Sequence, residues 1–526
     1  MAAVSLFKDT PMRIDTLEIK SPWKNLEGLR VDFDESCDIA VIIGRNGSAK
    51  SNLLESIIMI FRNIDLGDIA AFSYEIRYLL RGESVLVEAA VGQQPKALVN
   101  AKKISLSSLK NDWTPKYVVG YYSGVSDRFE ELFRRHDRRA LDATLKESGG
   151  KESPTKLEFR RFICARPVHG LFALLAFYFS DDVQIADFLK SHPRIESFDS
   201  ALLTVRKPVW AKGKVGAEEF WGAKGPVRDL LEAFRRHSLA PIARKITVKP
   251  DFRTKEHRDV MHLFIPDIAA LRGLAAEYDS DPRALFQALD TMRLSGLIED
   301  FRVRVRVKGA VGPIHTRQLS EGEQQLLTVL GLMRFTQDEG SLYILDEPDT
   351  HLNPKWGIEY LGHLRKIGGI QRNSHTILAT HQPLLVAGLR KEEIRVMSRN
   401  SDGRIAASMP DESPRGTGVA GVLTSPLYGL ESQLDEFSLR VLKRIYDLAS
   451  NDKSPRRAHR LARLRQLVPS LVTTEGSPDP YKNIARDAYE LAMKRLVADD
   501  SNVDVKIRAV ERLADMLYEK SLGDSE

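Results

Sequence analysis

The chain has 526 residues, more than one hydrophobic core usually serves, so two or three lobes are expected. Hydrophobic residues make up 43% and charged residues 29%, which excludes a disordered, fibrous or membrane-embedded class. Basic residues exceed acidic ones by 78 to 72, and the net charge of +6 permits contact with nucleic acid without arguing for it.

The first residues lack a basic stretch followed by a long apolar run, so no secretory leader is expected. Cys37 and Cys164 have no metal-type spacing and suggest no disulfide framework, which suits a reducing cytoplasm. "MRIDTLEI" alternates and reads as a strand, and "LRVDF" as a second. "DIAVIIG" is an apolar run ending at Gly44, the pattern of a buried strand that feeds a loop. "SNLLESIIMIFRNI" then places apolar residues at helical spacing. Between strand and helix lies "GRNGSAKS", residues 44–51, close to the phosphate-binding pattern G-x-x-x-x-G-K-[ST]. Gly44, Lys50 and Ser51 fill their places, and Ala49 stands where the second glycine belongs. Because Ala49 borders the helix start, right-handed backbone angles that suit alanine are expected there. The loop amides and the helix N-terminus would cradle phosphates. Lys50 would neutralise the β- and γ-phosphate charge, and the Ser51 hydroxyl would bind magnesium.

"KYVVGYYSG" reads as a strand that closes the first lobe near Gly124. Residues 126–308 read as mostly helical and charged, without sustained heptads. Within them "GLFALLAFYF", residues 170–179, is about half a membrane span and reads as a buried helix. "RVRVRVK", residues 302–308, reads as a half-buried strand with Val303, Val305 and Val307 inward and Arg302, Arg304 and Arg306 solvated. "LSEGEQQ", residues 319–325, starts a helix. Ser320 and the Gly322 amide are placed to meet a phosphate, and Ser320 with Glu323 also forms a capping box. "LYILDEPD" is a buried strand whose tip would bring Asp346 to the magnesium shell and Glu347 to the attacking water. The plainer alternative is a strand ending in two solvated acids. His381 in "ATHQP" ends another apolar strand, and "SDGR", residues 401–404, suits a hairpin turn. After about Ser413 the pattern is helical, and "SPRRAHRLARLRQL" puts Ala458, Leu461, Ala462 and Leu464 or Leu467 on a face among arginines.

The order phosphate loop, "LSEGEQQ", "LYILDEPD", "ATHQP" resembles the nucleotide-binding domains of the ATP-binding cassette (ABC) ATPases. The resemblance implies an α/β, ABC-type P-loop ATPase head with a mixed sheet, a helical lobe, a helical insertion and a helical C-terminal region. It implies ATP and Mg2+, with Gly44, Asn46, Gly47, Ser48, Ala49, Lys50, Ser51 and Asn52 in the phosphate loop. Ser320, Gly322 and Glu323 match the signature, Ser51 and Asp346 the metal shell, Glu347 the catalytic base, and His381 the switch histidine. The bridging glutamine has no firm match: "GYYSGVSDR" occupies its region, and Gln93 and Gln94 are poorer candidates. The signature acts on nucleotide held by another subunit, which implies a dimer or a higher even-numbered assembly.

"LSEGEQQ" and "DEPDTHLNP" depart from the transporter forms and resemble the soluble branch of SMC and RecF proteins, overcoming-lysogenization-defect nucleases and antiphage ATPases. The missing heptads argue against a long-armed SMC protein, and no Toprim acids or HNH-type cluster follow His381. "GVLTSPLYGLESQLDEFSLRVLKRIYDLA" resembles the ATPase subunits of Septu-type and retron-linked Septu-like systems, which pair with a separate HNH nuclease. The expected organisation is ATPase lobe 1–125, insertion 126–308, signature, acidic-strand and switch part 309–412, and a helical partner-binding region 413–526. The expected function is a slow cytoplasmic ATPase controlling that nuclease. A RecF-like repair ATPase acting on DNA and an ATP-binding scaffold are the alternatives.

Overall fold

The computed structural model describes residues 12–468, apart from 147–159, 180–181, 212–214, 250–252, 338–339, 370–373, 431, 433 and 452–455. The leader reading at residues 1–11 and the helical reading beyond 468 lie outside the described residues. The chain divides into two compact units, Met1–Gly429 and Leu430–Glu526.

At the centre of the first unit is a seven-stranded sheet. Its strands run, edge to edge, Ile405–Ser408, Ile394–Arg399, Ile39–Gly44, His375–Ala379, Leu342–Asp346, Val118–Tyr122 and Phe162–Cys164. All pairings are parallel except that of the hairpin strand Ile405–Ser408. A parallel sheet must be covered on both faces, and successive side chains point to opposite sides. The phosphate-loop strand accordingly sends Ile39, Val41 and Ile43 into one core and Ala40 and Ile42 into the other. This buried, twofold apolar demand explains the uninterrupted runs "IAVII" and "LYIL".

The helix Lys50–Leu66 covers one face with Leu53, Leu54, Ile57, Ile58, Phe61 and Ile64. Beyond it lies a six-stranded sheet that includes Arg13–Ile19, Leu29–Asp32 and Tyr74–Leu80. The helices Pro167–Phe177, Glu321–Thr336 and Pro354–Lys366 cover the other face. The run "GLFALLAFYF" is indeed a buried helix: Phe172 to Ala176 have no exposed surface.

Residues 126–308 hold helices, as read, but also more strand than their charge suggested. Ile195–Arg206, Ile242–Val248, Glu256–Ile265 and Ile298–Val307 join Ile314–His315 in a five-stranded antiparallel sheet. Ile242–Val248 is exposed along most of its length, so it shows no apolar alternation to read. Val303 and Val305 are buried and the intervening arginines exposed, as the strict alternation predicts. Phe162–Cys164, inside the same stretch, pairs with Val118–Tyr122 as an edge of the central sheet. The insertion therefore contributes a strand to the central sheet itself.

In the second unit, Glu436–Asn451 and Arg457–Leu467 pack on each other, and the latter buries no residue.

Candidate functional site

The strands Ile39–Gly44, Leu342–Asp346 and His375–Ala379 run parallel and in register, so their C-terminal ends meet at one edge. That edge carries the phosphate loop, the acidic pair and His381. Gly44 leaves the first strand where a Cβ would stand 2.4 Å from the Met397 carbonyl and 2.6 Å from Ser48 Oγ, so only glycine fits. Gly47 takes a positive φ of 80° to close the turn. The helix then starts at Lys50 with no side chain capping it. Its first amides have no intrahelical partner and face the pocket, an arrangement that accepts a phosphate. Asn46 to Asn52, Asn25, Arg128 and Glu347 line that pocket.

Ala49 holds φ 70° and ψ 20°, in the left-handed region. The expectation of right-handed angles is thus corrected: the loop must reverse its hand before the helix can begin. The methyl is carried there at the steric cost that glycine avoids.

Lys50 Nζ donates to the Gly44 carbonyl at 2.8 Å and is buried across the mouth of its own loop. Burial lowers its basicity, and the carboxylates of Glu347 and Asp346 oppose that. Asp346 is 2% exposed, and burial raises its carboxyl above the usual range; the Ser51 hydroxyl, within hydrogen-bonding reach, works against the shift. Asp346 Oδ2 is buried without a hydrogen-bond partner, as is Ser48 Oγ. An orphaned Ser48 hydroxyl, a cation and an uncapped helix end in one pocket, with the orphaned Asp346 oxygen beside Ser51, fit a magnesium-bound polyphosphate.

Glu347 sits at the strand tip with φ 51°. Its amide donates to the Ala379 carbonyl at 2.8 Å, and its carbonyl accepts from Thr350 Oγ1 at 2.8 Å. These bonds hold the strained backbone and aim the carboxylate at the pocket. His381 Nδ1 lies 3.0 Å from Glu347 Oε1, so the two are paired at the pocket rim.

The signature residues do not line this pocket. Ser320 caps the helix Glu321–Thr336, its hydroxyl accepting from the Glu323 amide at 3.3 Å and its amide donating to Glu323 Oε2 at 2.7 Å. A Cβ on Gly322 would stand 2.5 Å from the His351 carbonyl, so this glycine lets the helix start press against the segment after the acids. Gln94 bonds to the Gly67 carbonyl at the far end of the 17-residue helix Lys50–Leu66, about 25 Å from the loop by helix rise. Gln93 stands in the same turn, and neither reaches the site. Ser123 of "GYYSGVSDR" does: its amide donates to the Asp346 carbonyl at 3.2 Å.

Sequence reasoning missed three residues. Arg128, at the start of the helix Arg128–Lys146, bonds Glu55 and Asn52 and points its charge at Asp346. Asp349 is buried, and burial pushes its carboxyl up to about 6, against a 2.7 Å hydrogen bond from Thr380 Oγ1. Asp349 was visible in "DEPDTH" as a third acid after an apolar run; nothing local marked Arg128 or Thr380.

A glycine-closed loop between buried strand and helix, a buried acid beside it and a paired glutamate and histidine give this edge the form of a P-loop nucleotide site, as the resemblance to ABC-type ATPases implies. Residues 186–387, which hold "LSEGEQQ", the acidic strand and His381, match the family model described as "AAA domain, putative AbiEii toxin, Type IV TA system". The chain resembles Septu protein PtuA of Bacillus mycoides (strain KBAB4), 32% identical over 115 residues that span 22% of this chain and 16% of that protein. Among solved structures, the SMC head domain from Thermotoga maritima aligns at 13% identity over 76% of this chain and 99% of its own, with a TM-score of 0.32. The recombination mediator protein RecF-ATPrS of the RecFOR pathway aligns at 15% identity over 76% and 99%, with a TM-score of 0.28. Among the described residues, no helix is long and apolar enough to cross a membrane.

Proposed function

We propose that this ATPase is a subunit of a bacterial antiphage defence complex, and that its slow turnover controls a separate HNH-type nuclease. The convergence of Lys50, Asp346, Glu347 and His381 at one sheet edge carries the enzymatic half of this reading. Lys50 and Arg128 offset the phosphate charge. Ser51 and Asp346 are the residues to hold Mg2+, which supplies positive charge against the phosphate oxygens. Glu347 takes the proton of the attacking water, and His381 orients Glu347 and meets the terminal phosphate. The signature end at Ser320 and Gly322, turned away from its own pocket, serves nucleotide held by a second copy, so the working form is a dimer or a higher even-numbered assembly.

The likeness to Septu protein PtuA supports the defence role. The left-handed Ala49 supports slow turnover: a loop held slightly off the phosphate position keeps binding but loses contacts made only in the transition state. The C-terminal region, with its unburied helix Arg457–Leu467, docks the partner. Co-expression with the neighbouring reading frames and a phage plaque assay test the whole. Protection should vanish in Lys50→Ala and in Glu347→Gln, and deletion of residues 450–526 should spare ATP binding and remove partner capture. Full protection by both substituted chains would reject control by the ATPase, and no protection by the parent complex would reject the defence reading while leaving the ATPase untouched.

A further inference from the structure

We propose that His192, Glu359 and His363 form a binding site for one divalent transition-metal ion of the zinc class, separate from the nucleotide pocket. His192 ends the helix Val183–Ser191, and Glu359 and His363 lie one turn apart on the helix Pro354–Lys366. One ligand atom from each of the three falls within 4.8 Å of the others. His192 Nε2 is 3.3 Å from Glu359 Oε2, and His363 Nε2 is 3.8 Å from the same oxygen. Ligands about 2.1 Å from a tetrahedral zinc ion stand about 3.4 Å apart, so a small inward movement closes the set.

The hydrogen bonds around the cluster prepare it for a cation. Ser191 Oγ has one proton and donates it to the Asp187 carbonyl at 2.6 Å. At 2.8 Å from His192 Nδ1 it must therefore accept, so Nδ1 carries the hydrogen. Nε2 then turns a lone pair toward the Glu359 carboxylate, which is repulsive unless a positive centre lies between them. A proton on Nε2 would satisfy that pair alone. It would leave His363 Nε2, buried and without a hydrogen-bond partner, facing an imidazolium whose ring centre is 4.1 Å from its own. A metal ion satisfies all three ligands together. The Nδ1–Ser191 bond is the outer support that fixes the tautomer of a ligating histidine. Phe188 stacks on His192 at 5.3 Å and Trp356 stands 5.9 Å away, so the ring is held in place by packing. Two imidazoles and a carboxylate suit zinc and its neighbours and not magnesium.

The ion would tie the helix that follows "DEPDTHLNP" to the end of Val183–Ser191, on the same unit as the ATPase sheet.

The test uses tag-free full-length chain, stripped with chelator and titrated with Co2+ in excess Mg2+, which occupies the carboxylates of the nucleotide pocket. One equivalent per chain should give visible ligand-field absorption, displaced by Zn2+, and Zn2+ should raise the melting temperature by several degrees. His192→Ala, His363→Ala and the near-isosteric Glu359→Gln should each weaken Co2+ binding about 100-fold or more, and ATP binding by the variants shows that they are folded. Absence of a saturable one-equivalent spectrum in the parent chain overturns the proposal without any variant. So does unchanged Co2+ affinity in folded Glu359→Gln.

Discussion

A left-handed alanine costs about 1–2 kcal/mol relative to a residue free of that constraint, and Ala49 carries this cost at the one point where the loop must approach phosphate. Glycine removes the strain but gives the unfolded chain about 0.4–1 kcal/mol of extra entropy, so Ala49→Gly should stabilise the fold by no more than about 1.6 kcal/mol. Its effect should appear in turnover instead. Hydrolysis is expected to rise while ATP affinity stays within about threefold, as measured by phosphate release and equilibrium binding on the same preparation. Unchanged turnover would make the methyl a neutral passenger. At this scale the sequence was a good guide to which residues share one loop and a poor one to their backbone. "GRNGSAKS" located Gly44, Lys50 and Ser51, because spacing along the chain specifies a loop. The hand of Ala49 left no local signal, and the approach of Met397 to Gly44 depends on a strand about 350 residues away. Arg128 reaches the pocket from a helix that no motif announces.

Between elements, a short polar clip ties the outer sheet to the central one. The Arg13 guanidinium bonds the Ser374 carbonyl, and His375 Nδ1 accepts the Ile14 amide at 3.0 Å. His375 is fully buried, and burial, with Arg13 adding to it, pushes its imidazole down to about 3. The folded value lies below the unfolded one, so the unfolded chain binds more protons across the interval between them. Stability from this residue is complete above about pH 6.5 and is lost as pH falls toward 3, at up to about 1.4 kcal/mol per pH unit. His169, pushed down to about 4 by burial, acts in the same direction. Asp349 acts the other way between about 4 and 6, because its folded value is raised. His375→Asn keeps an acceptor for Ile14 and removes the titration. It should flatten the fall of melting temperature between pH 6.5 and 4.5; an unaltered slope would show that His375 does not govern it. Buried parallel strands were legible as apolar runs, and helices as periodic ones. Of the five-stranded sheet "RVRVRVK" was legible, but "EHRDVMHLFI" and "IARKITV" were not, because Glu, His and Arg on the open face break their alternation.

At the scale of the whole molecule, one copy holds a complete phosphate pocket and a signature end that does not enter it. Assembly is therefore expected to depend on nucleotide. Glu347→Gln saturated with ATP and Mg2+ should double its mass in light scattering, or reach a higher even multiple, and Lys50→Ala should not. A monomer that hydrolyses ATP at the full rate would dismiss the composite site. The order of the four motifs along the chain was enough to foresee the α/β head, since three strand ends carry the phosphate loop, the acids and His381 and a helix start carries "LSEGEQQ"; what closes over the head was not, because no segment of the chain encodes a second copy. Whether Glu347 is the base of an ATP-hydrolysing site is decided by paired measurement of ATP affinity and steady-state turnover in Glu347→Gln. Glutamine keeps the shape and the left-handed backbone but cannot accept the proton. Affinity should stay within about threefold while turnover falls about 100-fold or more. Turnover equal to that of the parent chain, at equal affinity, would contradict the assignment.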